Sequence, residues 1–376
     1  MRIALLLPRS MLYPSLSFDM MDGLRSGLKK TGMDTRCEVV SASIGLAAKN
    51  EEIYARCEQV LLDGADVVVA YMNPLSAEYV HALFQSAGKR LVVLDSGYHF
   101  PAFQGKLSHA WFLSLQGNLC CRAIMQKAAA DGYRNFALSC SFYDAGYRPS
   151  YSYTTAAEDK GGTVGLSHIT PLRRAEFSLD RLAEYLGDNK DAAMLASFCG
   201  DMAEDFFRES SRLELSTTYD TYGAAFTAEE EWLAKIPYPG KDWDAAVPWA
   251  RSIATPANEE FVSTLEGIRE NKANIFSLLG WEAALFIAAT ETGSPEGIVL
   301  DSPRGRVQIN PETQFSEAPV YFARVTKNEG TGNCRLTDVR DAGDLQEERR
   351  LLQRDIDYIQ TTTANSWLNA YACLDS

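Results

Sequence analysis

The residues with most chemistry to offer follow short apolar runs. Residues 67–70 lead into Tyr71-Met72-Asn73-Pro74-Leu75-Ser76, and residues 90–94 lead into Asp95-Ser96-Gly97-Tyr98-His99. Residues 135–140 lead into Ser141-Phe142-Tyr143-Asp144-Ala145-Gly146-Tyr147-Arg148, and residues 192–198 into Cys199-Gly200-Asp201. If each run is a strand buried on both faces, these stretches are the carboxyl-end loops of parallel sheets, where ligands bind in open α/β folds. The candidate ligand contacts are then Tyr71, Asn73, Ser96, Tyr98, Phe142, Tyr143, Tyr147, Cys199 and Asp201. Aromatic faces around a few fixed polar groups suit a small, uncharged, partly apolar ligand. A buried carboxylate ligand would have only Arg148 nearby as a charge partner, and an unpaired buried charge is costly.

Each residue also has a plain structural reading. Ser76 and Asp201 can cap the helices they open, Tyr147 can sit in the core or a hinge, and His99 can simply donate to a backbone carbonyl. Tyr219, after a further short segment, is a weaker candidate for the same cleft. Enzyme signatures are missing. No GxGxxG follows a strand, and no GxxxxGK[ST], HExxH or GxSxG occurs, so no catalytic residue is nominated. A small-molecule enzyme on a Rossmann-like scaffold remains the competing class. Eight cysteines form no CxxC pair and no zinc spacing with the four histidines, so neither metal nor cofactor is expected.

Composition narrows the partners. The 376 residues carry 50 acidic and 36 basic side chains, a formal charge of −14 that argues against a nucleic-acid surface. No apolar run reaches membrane-spanning length, so no membrane insertion is expected. Residues 3–7 are too short a run for a signal peptide and read as the first strand. With an export signal removed ahead of Met1 the protein is periplasmic; read as it stands it is cytoplasmic, to which the scattered cysteines lean.

The elements that must position these loops alternate regularly. A strand at 3–8 precedes a helix with Phe18, Met21, Leu24 and Leu28 on its apolar face, and a second strand covers 37–41. Helices at about 50–63 and 76–87 flank the 67–70 strand, and 111–115 adds another strand before a helix from 118 to 130. The same rhythm then repeats to residue 211, which implies parallel sheets with right-handed crossovers. Residues 237–256, with four prolines and little periodicity, read as a crossover loop. Helices at 258–271 and 275–290 follow, then strands at 305–309 and 320–325 that would pair antiparallel. Residues 345–359 form a charged helix whose Glu347, Glu348, Arg349 and Arg350 read as a solvated face.

This order of elements resembles the type I periplasmic-binding fold of ABC-transporter solute-binding proteins for branched-chain amino acids, urea and short amides, most of all its amide-sensing and urea-binding branch. The segments that carry the resemblance are Val69-Ala70-Tyr71-Met72-Asn73, Ser141 to Tyr147, Gly280-Trp281-Glu282-Ala283-Ala284, and Asp301 to Ile309 with Pro319-Val320-Tyr321. It covers about residues 1–340. The resemblance implies two Rossmann-like lobes with a ligand cleft between them, closing like a clam. It implies one lobe from 1–117 with 250–304, a second from 118–249 with 305–345, and a helix and tail at 346–376. It further implies a small-molecule ligand and a membrane permease as partners, or a cytosolic amide sensor. The adjacent hydroxyls that clamp amino acids in this family are replaced here by Asn73-Pro74-Leu75, so the resemblance stops short of free amino-acid recognition.

Overall fold

Strand β1 (Arg2–Pro8) sets the pattern of the first lobe, because its residues alternate between two separate apolar clusters. Ile3, Leu5 and Leu7 face one side, and Ala4 and Leu6 face the other. Strands β3 (Val67–Tyr71) and β4 (Arg90–Asp95) alternate in the same way, so this sheet is covered on both faces. Each fully buried Val or Leu contributes roughly 1.5–3 kcal/mol, and a one-residue slip in register would move it to the opposite apolar cluster, where its shape has no matching partners. The computed structural model describes residues 1–46, 48–142, 148–171, 173–270, 272–291, 293, 295 and 297–362.

With β2 (Glu38–Gly45) and β5 (Ala110–Ser114), these strands form an all-parallel sheet in the order β2-β1-β3-β4-β5. Helices α1 (Leu16–Lys30), α2 (Asn50–Leu62) and α3 (Pro74–Ala87) make the crossovers. The chain then enters the second lobe through α4 (Gly117–Ala130). There β6 (Asn135–Cys140), α5 (Ser150–Asp159), β7 (Thr163–Ile169), α6 (Asp180–Asp188), β8 (Ala193–Ser197) and α7 (Asp201–Arg212) continue the alternation. After α8 (Leu215–Thr218), β9 (Thr221–Ala224), α9 (Glu230–Leu233) and β10 (Trp243–Val247), the chain returns to the first lobe as α10 (Pro256–Glu266) and α11 (Ile275–Ala289). A small sheet of β11 (Val299–Ser302), β12 (Gly305–Ile309) and β13 (Ser316–Glu317) follows. Strands β14 (Tyr321–Lys327) and β15 (Cys334–Asp341) then complete a seven-stranded sheet, β15-β14-β10-β9-β8-β6-β7, before helix α12 (Gln346–Thr361).

Three expectations need correction. The proline-rich stretch is not only a loop: it contains β10, which pairs parallel with β9 and antiparallel with β14 inside the second sheet. Strand β12 pairs with β11 and β13, not with β14, because Arg304 pins that hairpin to α11. Its Nε and Nη2 donate to Glu282 at 2.7 and 2.8 Å, with both side chains fully buried. On α1, Phe18 is exposed, and the buried stripe runs through Leu16, Met20, Gly23, Leu24 and Gly27 instead. A Cβ on Gly23 would lie 2.0 Å from the Ser277 carbonyl oxygen, so α1 and α11 touch backbone to backbone.

Helix α12 is also more than a solvated face. Arg122 of α4, with no exposure, donates to Glu348 at 3.0 Å and to Asp355 at 3.0 Å, and pairs with Asp159 of α5. One buried guanidinium thus ties three helices and offsets three carboxylates. Removing it leaves those charges with less compensation in a low dielectric. Arg122→Met is expected to lower unfolding free energy by about 3–5 kcal/mol in urea titrations. Arg350→Ala, on the solvent side of the same helix, should leave stability nearly unchanged. Equal effects from the two variants would contradict this account of the helix.

Candidate ligand-binding cleft

The carboxyl ends of both parallel sheets face each other, and the loops they carry meet across the cleft. From the first lobe, the loop after β1 carries Leu12 and Tyr13 to the second-lobe turn at Gly200, where a glycine Cβ would lie 3.0 Å from Leu12. Gly200 takes φ 60 and ψ −141, a conformation that suits a residue without a side chain. Tyr13 is the centre of the contact. Its ring meets Phe276 of the first lobe at 5.0 Å, and Phe226 and Trp232 of the second at 5.9 and 6.3 Å, all edge-on. Such arrangements favour aromatic pairs by about 0.5–1.5 kcal/mol beyond their area. Phe276 sits in the first turn of α11, whose cap Asn274 accepts from the Phe276 and Ser277 amides and donates to the buried Asp19.

Two of the proposed contacts join this cluster. Tyr71, at the end of β3, stands 6.4 Å from Phe276, and Tyr98 lies 5.7 Å from Phe226. Tyr98 also packs on Gly117, where a Cβ would come within 2.4 Å of its ring. Ser96 is buried beside it, and its carbonyl accepts from the Gly117 amide at 3.1 Å. Asn73 serves as the cap of α3: its Oδ1 accepts from the Ser76 amide at 2.8 Å, while the Ser76 hydroxyl donates to Asn50 at 2.8 Å. Capping thus falls to Asn73 rather than Ser76. Cys199 is fully buried at the turn before α7, and Phe142 is half-buried after β6. Asp201, the first residue of α7, pairs with Arg174 at 3.0 Å. Tyr143 and Tyr147 lie outside the described residues. Tyr219 belongs elsewhere: it precedes β9, at the amino end of the strand, and its hydroxyl donates to the Leu186 carbonyl at 2.6 Å.

Sequence reasoning missed Tyr13, Phe226, Trp232 and Phe276. The loop after the first strand was recognisable, so Tyr13 could have been nominated by the strand-end rule. Phe226 and Trp232 follow β9, a four-residue strand too short to show periodicity. Phe276 was readable only as a helix-start residue, since nothing local tells that this helix end points into the cleft.

The electrostatics are muted. Burial, then the neighbouring Cys199 and Glu229, push the Tyr13 hydroxyl well above its ordinary value, so it is neutral at physiological pH. The Gly200 backbone amide across the cleft acts in the opposite direction, favouring the ionised form, but burial outweighs it. Glu229 accepts from the Glu231 and Trp232 amides at 3.1 and 3.2 Å as the cap of α9. Burial, then the charge of Glu231, raise its carboxyl to about 7. No group of three or more His, Cys, Asp or Glu side chains arranged to hold a metal occurs among the described residues.

Arranged this way, two α/β lobes with opposed carboxyl-end loops make the type I periplasmic-binding fold. A substrate-binding protein of an ABC transporter from Sphaerobacter thermophilus superposes with a TM-score of 0.78 at 16% identity, covering 92% of this chain and 98% of that one. A solute-binding protein from Rhodopseudomonas palustris HaA2, solved with p-hydroxybenzoic acid, gives 0.73 at 17% identity over 93% and 99%. An amino-acid ABC transporter substrate-binding protein from Pseudomonas fluorescens Pf-5 gives 0.73 at 11% identity over 91% and 96%. No protein-family model and no curated protein sequence matches the chain.

The raised Glu229 carboxyl sets a pH dependence. The folded protein holds this proton more tightly than the unfolded chain does, so it binds more protons between the ordinary carboxyl value of 4.5 and about 7. Its contribution to stability is therefore present at low pH and lost as pH rises through that window. Glu229→Gln keeps an acceptor for the cap and removes the titration. Thermal unfolding of the variant should be flatter than wild type between about pH 4.5 and 7, and the variant should be the more stable above it. A variant with an unchanged slope would contradict this assignment.

Proposed function

We propose that this chain is a solute-binding protein that encloses a small, uncharged, partly apolar ligand between its lobes by hinge closure and delivers it to an ABC-type permease. The observation that carries the reading is the aromatic cluster shared by the lobes: Tyr13, Tyr71, Tyr98 and Phe276 from one, Phe226 and Trp232 from the other. Rings from both sides can sandwich an apolar body only when the lobes approach, which links binding to closure. The Tyr13 hydroxyl and Ser96 would orient its polar end, with Asn73, Phe142, Tyr143, Tyr147, Cys199 and Asp201 around it. One of the similar structures holds p-hydroxybenzoic acid, which supports the single-ring body of the ligand; its carboxyl is ionised at neutral pH, so the uncharged character rests on the cleft residues alone. The reading is of a binder, not an enzyme, working in the periplasm without a cofactor. A second reading, a cytosolic amide sensor, is favoured by the seven described cysteines, all of them free thiols.

The test is calorimetric titration with ring-bearing amides and phenols that raise the unfolding temperature, repeated at two salt concentrations. Phe276→Ala should weaken binding by roughly 1–3 kcal/mol, the scale of a lost buried aromatic contact. Tyr13→Phe should weaken it by about 1 kcal/mol, the scale of one lost hydrogen bond to the ligand. Arg148→Gln should change affinity little, and salt should hardly matter. If Arg148→Gln abolishes binding while Phe276→Ala is silent, the ligand is an anion and this reading of the cleft is wrong.

A further inference from the structure

The loop after β4 has two working faces. Tyr98 turns into the interlobe aromatic cluster, whereas the next two residues, His99 and Phe100, line a second cavity behind the hinge. That cavity measures about 590 Å3, within the range of small-molecule sites. Its walls come from both lobes: the 97–105 loop on one side, α12 on the other, with Gln116 and Asn118 of the lobe crossing as its floor. Gly97 holds the loop down on that floor, since a Cβ there would lie 2.5 Å from the Gln116 and Gly117 amides at φ 78.

Its chemistry is two-sided. Phe103 and Phe315 stack beside it at 6.5 Å, and Leu352 and Ile356 of α12 form the other apolar face. Carboxamides, among them Gln116, Asn118 and Gln353, are the most frequent polar groups of the lining, and they both donate and accept. Three carboxylates (Asp95, Glu317, Asp357) outnumber the single guanidinium of Arg349. That guanidinium is already donating to Gln116 Oε1 and the Ala318 carbonyl, each at 2.6 Å. An anion would meet net repulsion here. A neutral molecule with an apolar body and a hydrogen-bonding head meets complementary groups on both faces.

We propose that this hinge-side cavity is a second binding site, for a small uncharged molecule that joins an aromatic or aliphatic body to an amide-like head. The inference rests on this cavity alone and not on the reading of the cleft. The experiment is amide-shift mapping by heteronuclear NMR on the full chain, with phenylacetamide as probe and phenylacetate as its anionic counterpart. Phenylacetamide should move the amides of Phe100, Asn118 and Ile356 with a dissociation constant on the order of 1 mM, a magnitude suited to a ten-atom ligand. Phenylacetate should leave them in place, and Ile356→Trp, which fills the cavity from α12, should weaken the response about tenfold or more. Shifts confined to the surroundings of Tyr71 and Phe276, or an equal response to phenylacetate, would overturn the proposal. So would silence at the three cavity amides in the unsubstituted chain, a result that needs no variant to fold.

Discussion

The arrangement depends on the chain crossing between lobes three times at one edge, and Gln116 ties two of those crossings together. Its Nε2 donates to the Ala318 carbonyl at 3.1 Å, and its Oε1 accepts from the Ala318 amide at 3.2 Å. A side-chain amide thus stands in for a peptide in a two-bond bridge between the first crossing and the third. The residue adopts φ 55, a left-handed conformation that costs about 1 kcal/mol or more outside glycine and persists where surrounding bonds over-determine it. Arg349 adds a further donor to the same oxygen, which brings α12 onto the hinge. The bridge holds these two crossings side by side next to the cleft.

From that constraint the site follows. Parallel strands buried on both faces expose only their ends, and Tyr71 at the end of β3 and Tyr98 beyond β4 reach the aromatic cluster shared by the lobes. The aromatic rings of Tyr13, Tyr71, Tyr98, Phe226, Trp232 and Phe276 gather there, and they are the ground on which an apolar, uncharged ligand is proposed. The strongly charged groups are used elsewhere. Asp19 is paired with Lys272 at 2.9 Å under α1, Arg304 with Glu282 beneath the hairpin, and Arg122 with α12.

Much of this was legible in the sequence, for a physical reason. Runs such as Val67 to Ala70 and Leu91 to Leu94 must be buried on both faces, which implied a parallel sheet and pointed to the strand-end tyrosines Tyr71 and Tyr98, whose rings join the aromatic cluster between the lobes. What escaped reading depended on partners distant in the chain. Strand β10 hides among prolines and is defined by its neighbours β9 and β14, not by its own pattern. The charged face of α12 looked solvated because Arg122, which neutralises Glu348, lies 226 residues away. Phe18 looked like core because helix periodicity alone cannot see the glycine contacts that rotate α1 onto α11. Phe226, Trp232 and Phe276 reach the cleft through a short strand and a helix end whose direction only the tertiary structure sets.

The central claim is that ligand is held by rotation of one lobe onto the other about these crossings. Small-angle X-ray scattering, with and without a ligand at saturation, measures that motion directly. The account predicts a smaller radius of gyration and a shorter maximum dimension in the bound state. An identical scattering profile at proven saturation would contradict it.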